Sequence, residues 1–178
     1  MLKKIYGAVE TRYNLQVGTK PEDFKGLSCL AELWEIFHSL QNHRGYRYFV
    51  RARKLSRCDF FVPDPGVIVE FDESQHFTIP RKLSLLHYPD SLKLGFSRRK
   101  WIRLCDEIQA KDNDPCFRDE QRAWYDVLRD FLPSMIGLLP TIRLYSKDYL
   151  WCQLNSDDYS DVERFRSLIG GENDQLDS

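Results

Sequence analysis

With 178 residues, 42 % of them hydrophobic and 13 % aromatic, the chain is long enough for one domain with a core of its own. Charged residues make up 30 % of it, and no apolar run nears the ~18 residues of a membrane span, so no membrane partner is expected. A net charge of -1 excludes a chain that is basic throughout, and five scattered cysteines without a CxxC pair argue against a disulfide framework or structural zinc and fit a reducing cytoplasm.

The first 26 residues carry no chemistry. MLKKIYGAVETRYNL has two lysines but neither the apolar stretch nor the small-residue cleavage site of a signal peptide, and Lys20-Pro21 marks a turn. Residues 27–42 predict a helix, because Leu30, Leu33, Trp34, Phe37 and Leu40 recur at helical spacing and Gly45 follows as a stop. Residues 46–53, YRYFVRAR, are rich in β-formers and read as a strand. A hairpin follows. Strand 59–62 and strand 67–72 flank the turn residues Asp64-Pro65-Gly66.

Three carboxylates stand in or at the ends of these apolar strands: Asp59, Glu70 and Asp72. Buried without a partner, each is costly, so the cluster is the candidate site. Strand alternation puts Ile68, Glu70 and Asp72 on one face and Val67, Val69 and Phe71 on the other. Gln75 and His76 come directly afterwards.

Residues 77–118 read as a helical excursion. Within them Ser97 is a predicted N-cap for the helix RRKWIRLCDEIQA, which buries Trp101, Leu104, Cys105 and Ile108. Asp112-Asn113-Asp114 begins like a calcium loop but lacks that loop's glycine and distant glutamate, and it reads as a turn. Residues 118–132 predict an amphipathic helix with Trp124, Val127, Leu128 and Phe131 inward, ended by Pro133. A short strand at 140–146, a helical stretch at 148–154 and a helix at 161–169 complete a single domain over residues 1–170. Residues 171–178 are expected to be disordered.

Charge is segregated along the chain. Six basic residues and no acid lie between Arg44 and Arg57, and seven lie between Arg81 and Arg103 against Asp90 alone. Arg47, Arg51 and Arg53, interleaved with Tyr46, Tyr48 and Phe49, suit phosphate contact and base stacking. Arg98, Arg99 and Lys100 open a helix against its dipole, a mild cost that a phosphate partner would offset.

The order of elements and the D-x10-E-x-D pattern with a following histidine resemble the PD-(D/E)xK nuclease superfamily. Glu70-Phe71-Asp72-Glu73-Ser74-Gln75-His76 is similar to the motif of small bacterial proteins related to the very-short-patch repair endonuclease. The resemblance covers roughly residues 30–150. It implies an α/β fold, with a mixed central sheet flanked by helices and restriction-endonuclease-like. It also implies an endonuclease dependent on Mg²⁺ or Mn²⁺, acting on DNA rather than RNA in repair or phage defence, with a protein partner in such a system as a further option. By that resemblance Asp59, Glu70 and the Phe71 carbonyl hold the metal, joined by Glu32 or Glu35 from the helix. Asp72 stands where the superfamily has its lysine, and with Gln75 and His76 it is expected to complete the catalytic set around the metal or to activate the attacking water, while Lys82, counted among the nucleic-acid contacts, is a further group that could reach in. Arg122 and Arg143 match the later helix and strand arginines that touch phosphate or pin carboxylates. The residues permit the same reading on their own: Mg²⁺ takes hard oxygen ligands and needs only one or two carboxylates, and a histidine titrates near ~6.5. The alternative is a degenerate nuclease fold that binds nucleic acid or a protein without cutting.

Overall fold

The computed structural model describes residues 1–170. Its order is α1 (Leu2–Tyr6), β1 (Glu10–Tyr13), α2 (Leu30–Arg44), β2 (Cys58–Val62), β3 (Val67–Asp72), α3 (Ile79–Leu86), α4 (Arg98–Ile108), α5 (Arg118–Met135), β4 (Ile142–Tyr145) and α6 (Tyr159–Ile169). The four strands form one mixed sheet in the order β1-β2-β3-β4. The first two pairings are antiparallel, and β3 pairs with β4 in parallel. This is the expected α/β arrangement of a mixed sheet flanked by helices. No helix among the described residues is long and apolar enough to cross a membrane. The predicted tail at 171–178 lies outside the described residues.

The pleat of β3 divides the molecule into two layers. Val67 and Val69 pack with Leu144 of β4 and with Phe165 and Ile169 of α6. Glu70 and Asp72 alternate onto the opposite face, toward α5. On that side α2, α3, α4 and α5 build the main core around Leu33, Ile36, Phe49, Trp124, Leu128 and Phe131. Segment 77–118, expected as an excursion, packs into this core through Leu85, Tyr88, Trp101 and Cys105.

Local chemistry explains most boundaries. Ser97 caps α4 as expected, its hydroxyl accepting from the Lys100 N–H, and Thr78 caps α3 in the same way. Asp158 caps α6 by accepting from the N–H groups of Ser160 and Asp161, which starts that helix two residues before the predicted position. Helix α5 runs past Pro133, where the sequence predicts its end. Proline deprives the Arg129 carbonyl of its helical donor, and the Thr141 hydroxyl donates to that carbonyl instead, at 2.6 Å.

Residues 46–53 do not form the predicted strand. Their backbone finds side-chain partners rather than a ladder: Gln41 Nε2 donates to the Arg47 carbonyl and Gln121 Nε2 to that of Phe49, at 2.8 and 2.9 Å. The buried Phe49 ring packs on Phe37 with centroids 4.9 Å apart. The edge strand is instead β1, whose mostly exposed ETRY has no apolar alternation to reveal it. It is held partly by Tyr13 stacked on Phe61 at 4.2 Å. Residues 148–154 form only a single 3-10 turn, Trp151–Gln153. Beyond β4, Gly95 bridges to Ile142, and a side chain there would meet the Thr141 carbonyl at 2.6 Å, so only glycine permits the approach.

Candidate functional site

A cleft of about 1040 Å³ opens between the β2–β3 hairpin, α5 and the loop 45–57. Asp59, Glu70, His76 and Asp126 line its acidic side, and Arg12, Arg51, Arg57, Arg118, Arg122 and Arg129 line the rest. Acids and arginines thus line one cleft, with Asp59 exposed and Arg129 buried beside Glu70.

Asp59 and Glu70 belong to paired strands. Phe60 pairs with Val69 and Phe61 with Ile68, and continuing that register puts Asp59 opposite Glu70. Asp59 Oδ2 accepts the Phe71 N–H at 2.9 Å. Phe71 therefore offers its amide to Asp59, and the ring lies against Trp151 at 5.5 Å on the far face.

Glu70 is 5 % exposed. Its Oε1 lies 3.2 Å from Arg129 Nε, yet the N–H is not aimed along that line, and both atoms are buried without a hydrogen-bond partner. The contact is an ion pair in distance only. Arg129 is held elsewhere: Nη2 donates to Ser56 Oγ at 2.8 Å and Nη1 to the Tyr125 carbonyl at 3.3 Å. Burial pushes the Glu70 carboxyl up to about 7. Arg129 and Arg143 oppose the rise, and Asp59 adds to it.

His76 sits at the end of a 3-10 turn, Ser74–His76, directly after β3. Its Nδ1 is 3.0 Å from Asp126 Oδ2 on α5. A carboxylate at that distance fixes the tautomer with the proton on Nδ1 and leaves Nε2 for chemistry. Burial works against charge on the ring, but Asp126 and then Asp72 outweigh it, and the pKa is raised from its ordinary value. Asp126 is buried too, yet His76 and Arg143 hold its carboxyl well below the usual range.

Asp72 shares a face with Glu70, as the pleat requires, but it is not a cleft residue. Its Oδ1 accepts from Arg143 Nη1 and its Oδ2 from Trp101 Nε1, both at 2.8 Å. Arg143 is itself fully buried and donates from Nε to Asp130 Oδ1 at 2.8 Å. Asp130 also takes Arg81 at 2.8 Å and the Tyr88 hydroxyl at 2.6 Å. Three carboxylates (Asp72, Asp126, Asp130) thus face two guanidiniums (Arg81, Arg143), and a protonated His76 balances the set. The expected catalytic role of Asp72 is therefore corrected, because its side chain is spent in a buried ion network, and of the two roles expected for Arg143 it is the pinning of carboxylates, not phosphate contact, that the geometry bears out.

Two groups of atoms suit a cation. One ligand atom each from Asp72, His76 and Asp126 lie within 4.8 Å of one another. A metal there would have to displace the Arg143 and Trp101 donors from Asp72. At Asp59 and Glu70, by contrast, Glu70 Oε1 is an orphaned buried oxygen, and Asp59 uses one oxygen on Phe71. This pair fits a hard cation better.

The other predicted residues divide cleanly. Gln75 borders the cleft, with Nε2 donating to Glu73 Oε2 at 3.0 Å. Arg122 borders it too, but donates to the Gln75 carbonyl and to Asp112 Oδ2, at 3.0 and 2.9 Å, tying the 74–76 turn to the loop before α5. Arg47, Arg51 and Arg53 are exposed and pair with no carboxylate among the described residues, and Arg51 reaches the cleft. On the other basic stretch Lys82 pairs with Asp106, Arg98 with Asp90 and Lys100 with Asp148, and Arg99 is exposed. None of the four lines the cleft. Glu32 and Glu35 do not line it either. The helix carboxylate at this site is Asp126 of α5.

Asp126 and Arg129 are the residues that sequence reasoning missed. Their signal was present: Asp119, Arg122, Asp126 and Arg129 recur at spacings of three and four along α5. The apolar stripe of Trp124, Val127, Leu128 and Phe131 on the same helix is the stronger pattern and masks it. Compared with protein-family models, curated proteins and solved structures, the chain matches none.

Proposed function

We propose that the chain is a metal-dependent endonuclease that hydrolyses phosphodiester bonds of nucleic acid, DNA in preference to RNA. The observation that carries this reading is the buried, orphaned Glu70 oxygen opposite Asp59 in an arginine-lined cleft. The fold reading is the restriction-endonuclease-like one, in which an acid-bearing hairpin of two central strands presents its carboxylates at one end of the sheet. Asp59 and Glu70 hold the metal. When bound, Mg²⁺ or Mn²⁺ supplies Lewis acidity at the scissile phosphate and makes a bound water acidic. Arg51, Arg57 and Arg118 bind flanking phosphates, where planar guanidiniums suit two oxygens at once. His76 accepts or returns a proton at Nε2, and Asp126 keeps its ring in the tautomer that permits this. Asp72, in the place of the superfamily lysine, positions Arg143 and through it Asp126. All five cysteines are free, in keeping with a reducing cytoplasm, and a repair or defence setting suits the activity.

A second reading has its own support. Arg129 Nε lies 3.2 Å from Glu70 Oε1, so a resident guanidinium already stands where a cation would sit. Under that reading the cleft binds phosphates without cutting. Plasmid nicking separates the two. With Mg²⁺ or Mn²⁺ the wild type should nick supercoiled DNA, Asp59→Ala and Glu70→Gln should lose the activity, and His76→Ala should slow it about a hundredfold or more. Salt-sensitive DNA binding without cleavage of single- or double-stranded substrates would establish the second reading instead.

A further inference from the structure

Among the aromatic residues of loop 45–57, Tyr48 is the exception. Phe49 is buried against Phe37, and Tyr46 lies under the Arg44 guanidinium at 5.3 Å. Tyr48 is 79 % exposed and has no aromatic or cationic partner among the described residues. An exposed tyrosine on a slack loop would be unremarkable, but this backbone is pinned on both sides. Gln41 holds the Arg47 carbonyl and Gln121 that of Phe49. The Tyr125 hydroxyl accepts the Ala52 N–H, the Thr19 hydroxyl donates to the Ala52 carbonyl, and Leu55 N–H donates to the Val17 carbonyl. The backbone that carries the ring is therefore held in place, and the loop itself has little ordering entropy left to lose on binding.

Unpaired charge shares the loop with this ring. Arg47, Arg51 and Arg53 lie within five residues of it along the chain and have no carboxylate partners among the described residues, whereas on the other basic stretch Lys82, Arg98 and Lys100 are paired and Arg99 is not. The same loop then supplies Arg51, Ser56 and Arg57 to the cleft wall. An exposed π-face on one loop with guanidiniums that have no carboxylate partner, Arg51 lying over the Phe117 ring at 5.1 Å, is chemistry for an unstacked base and its phosphates, since a duplex hides its base faces inside the stack.

We propose that loop 45–57 is a platform for single-stranded polynucleotide, with Tyr48 stacking on a base and Arg47, Arg51 and Arg53 following the backbone toward the cleft. This rests on the reading that the cleft receives nucleic acid, and it names the form of that substrate: a single strand or an unpaired end. Fluorescence anisotropy in EDTA tests it apart from cleavage. The probes are a labelled oligothymidylate, its oligouridylate counterpart and a matched duplex. Wild type should bind a single strand more tightly than the duplex, and the two single-stranded probes show whether deoxyribose or ribose is preferred. Tyr48→Ala should weaken single-strand binding about five- to a hundredfold, Tyr48→Phe should retain it, and duplex binding should not respond to either. Because Tyr48 is exposed, neither variant endangers the fold. Equal binding of duplex and single strand, unchanged affinity in Tyr48→Ala, or no binding to any probe overturns the proposal. A cleavage defect with these preferences intact leaves it standing and removes only the nuclease reading.

Discussion

Glu70 sets stability against chemistry. Its folded-state pKa is raised from 4.5 to about 7, chiefly by burial. Between those values the folded state holds a proton that the unfolded chain has released, so stability falls as pH rises through that window. The carboxyl's favourable contribution is complete below about pH 4.5 and gone above about pH 7. A rise of this size corresponds to roughly 3 kcal/mol. Glu70→Gln should therefore be more stable than wild type at about pH 8, by up to about 3 kcal/mol, and the two should converge near pH 4, as urea denaturation at both pH values will show. Under the proposed metal-binding reading, a carboxylate that weakens its own fold is the expected pattern for a site awaiting a cation. His76 adds to the same trend. Its raised pKa stabilises the fold at low pH and is lost as pH climbs through the folded value.

At the level of elements, β3 and α5 meet across the ion network, and β4 supplies the arginine that joins them. Glu70 of β3 is in register with Arg143 of β4, and that arginine reaches Asp72, Asp126 and Asp130. Removing one member of a buried charge set leaves the others uncompensated. Arg143→Met should cost roughly 3–5 kcal/mol in denaturant unfolding, far more than removing an exposed arginine such as Arg99. Much of this level was legible in the sequence. The hairpin, the Glu70/Asp72 face and the Ser97 cap follow from alternation and capping chemistry. The burial of Asp72 was not legible, because its partners Trp101 and Arg143 lie 29 and 71 residues away along the chain. Residues 46–53 misled for a related reason. Their β-forming side chains pack as a loop whose hydrogen bonds come from Gln41 and Gln121, which no local pattern reveals.

Across the whole molecule, a net charge of -1 conceals a sorted surface. Both basic stretches were visible in the sequence, but only the fold distinguishes arginines free to bind phosphate from cations already paired. On loop 45–57, which also supplies Arg51 and Arg57 to the carboxylate-bearing cleft, Arg47, Arg51 and Arg53 pair with no carboxylate among the described residues, and Tyr48 belongs to the same loop. The central claim is that Asp59 and Glu70 hold the metal. Calorimetric titration with Mn²⁺ at about pH 8, where Glu70 has given up its proton, tests it most directly. One binding event is predicted in the wild type, weakened at least about tenfold in Asp59→Ala and in Glu70→Gln and retained in His76→Ala. Binding that survives Glu70→Gln but vanishes in His76→Ala would move the ion to the Asp72–His76–Asp126 cluster, and no binding at all would contradict a metal-dependent site.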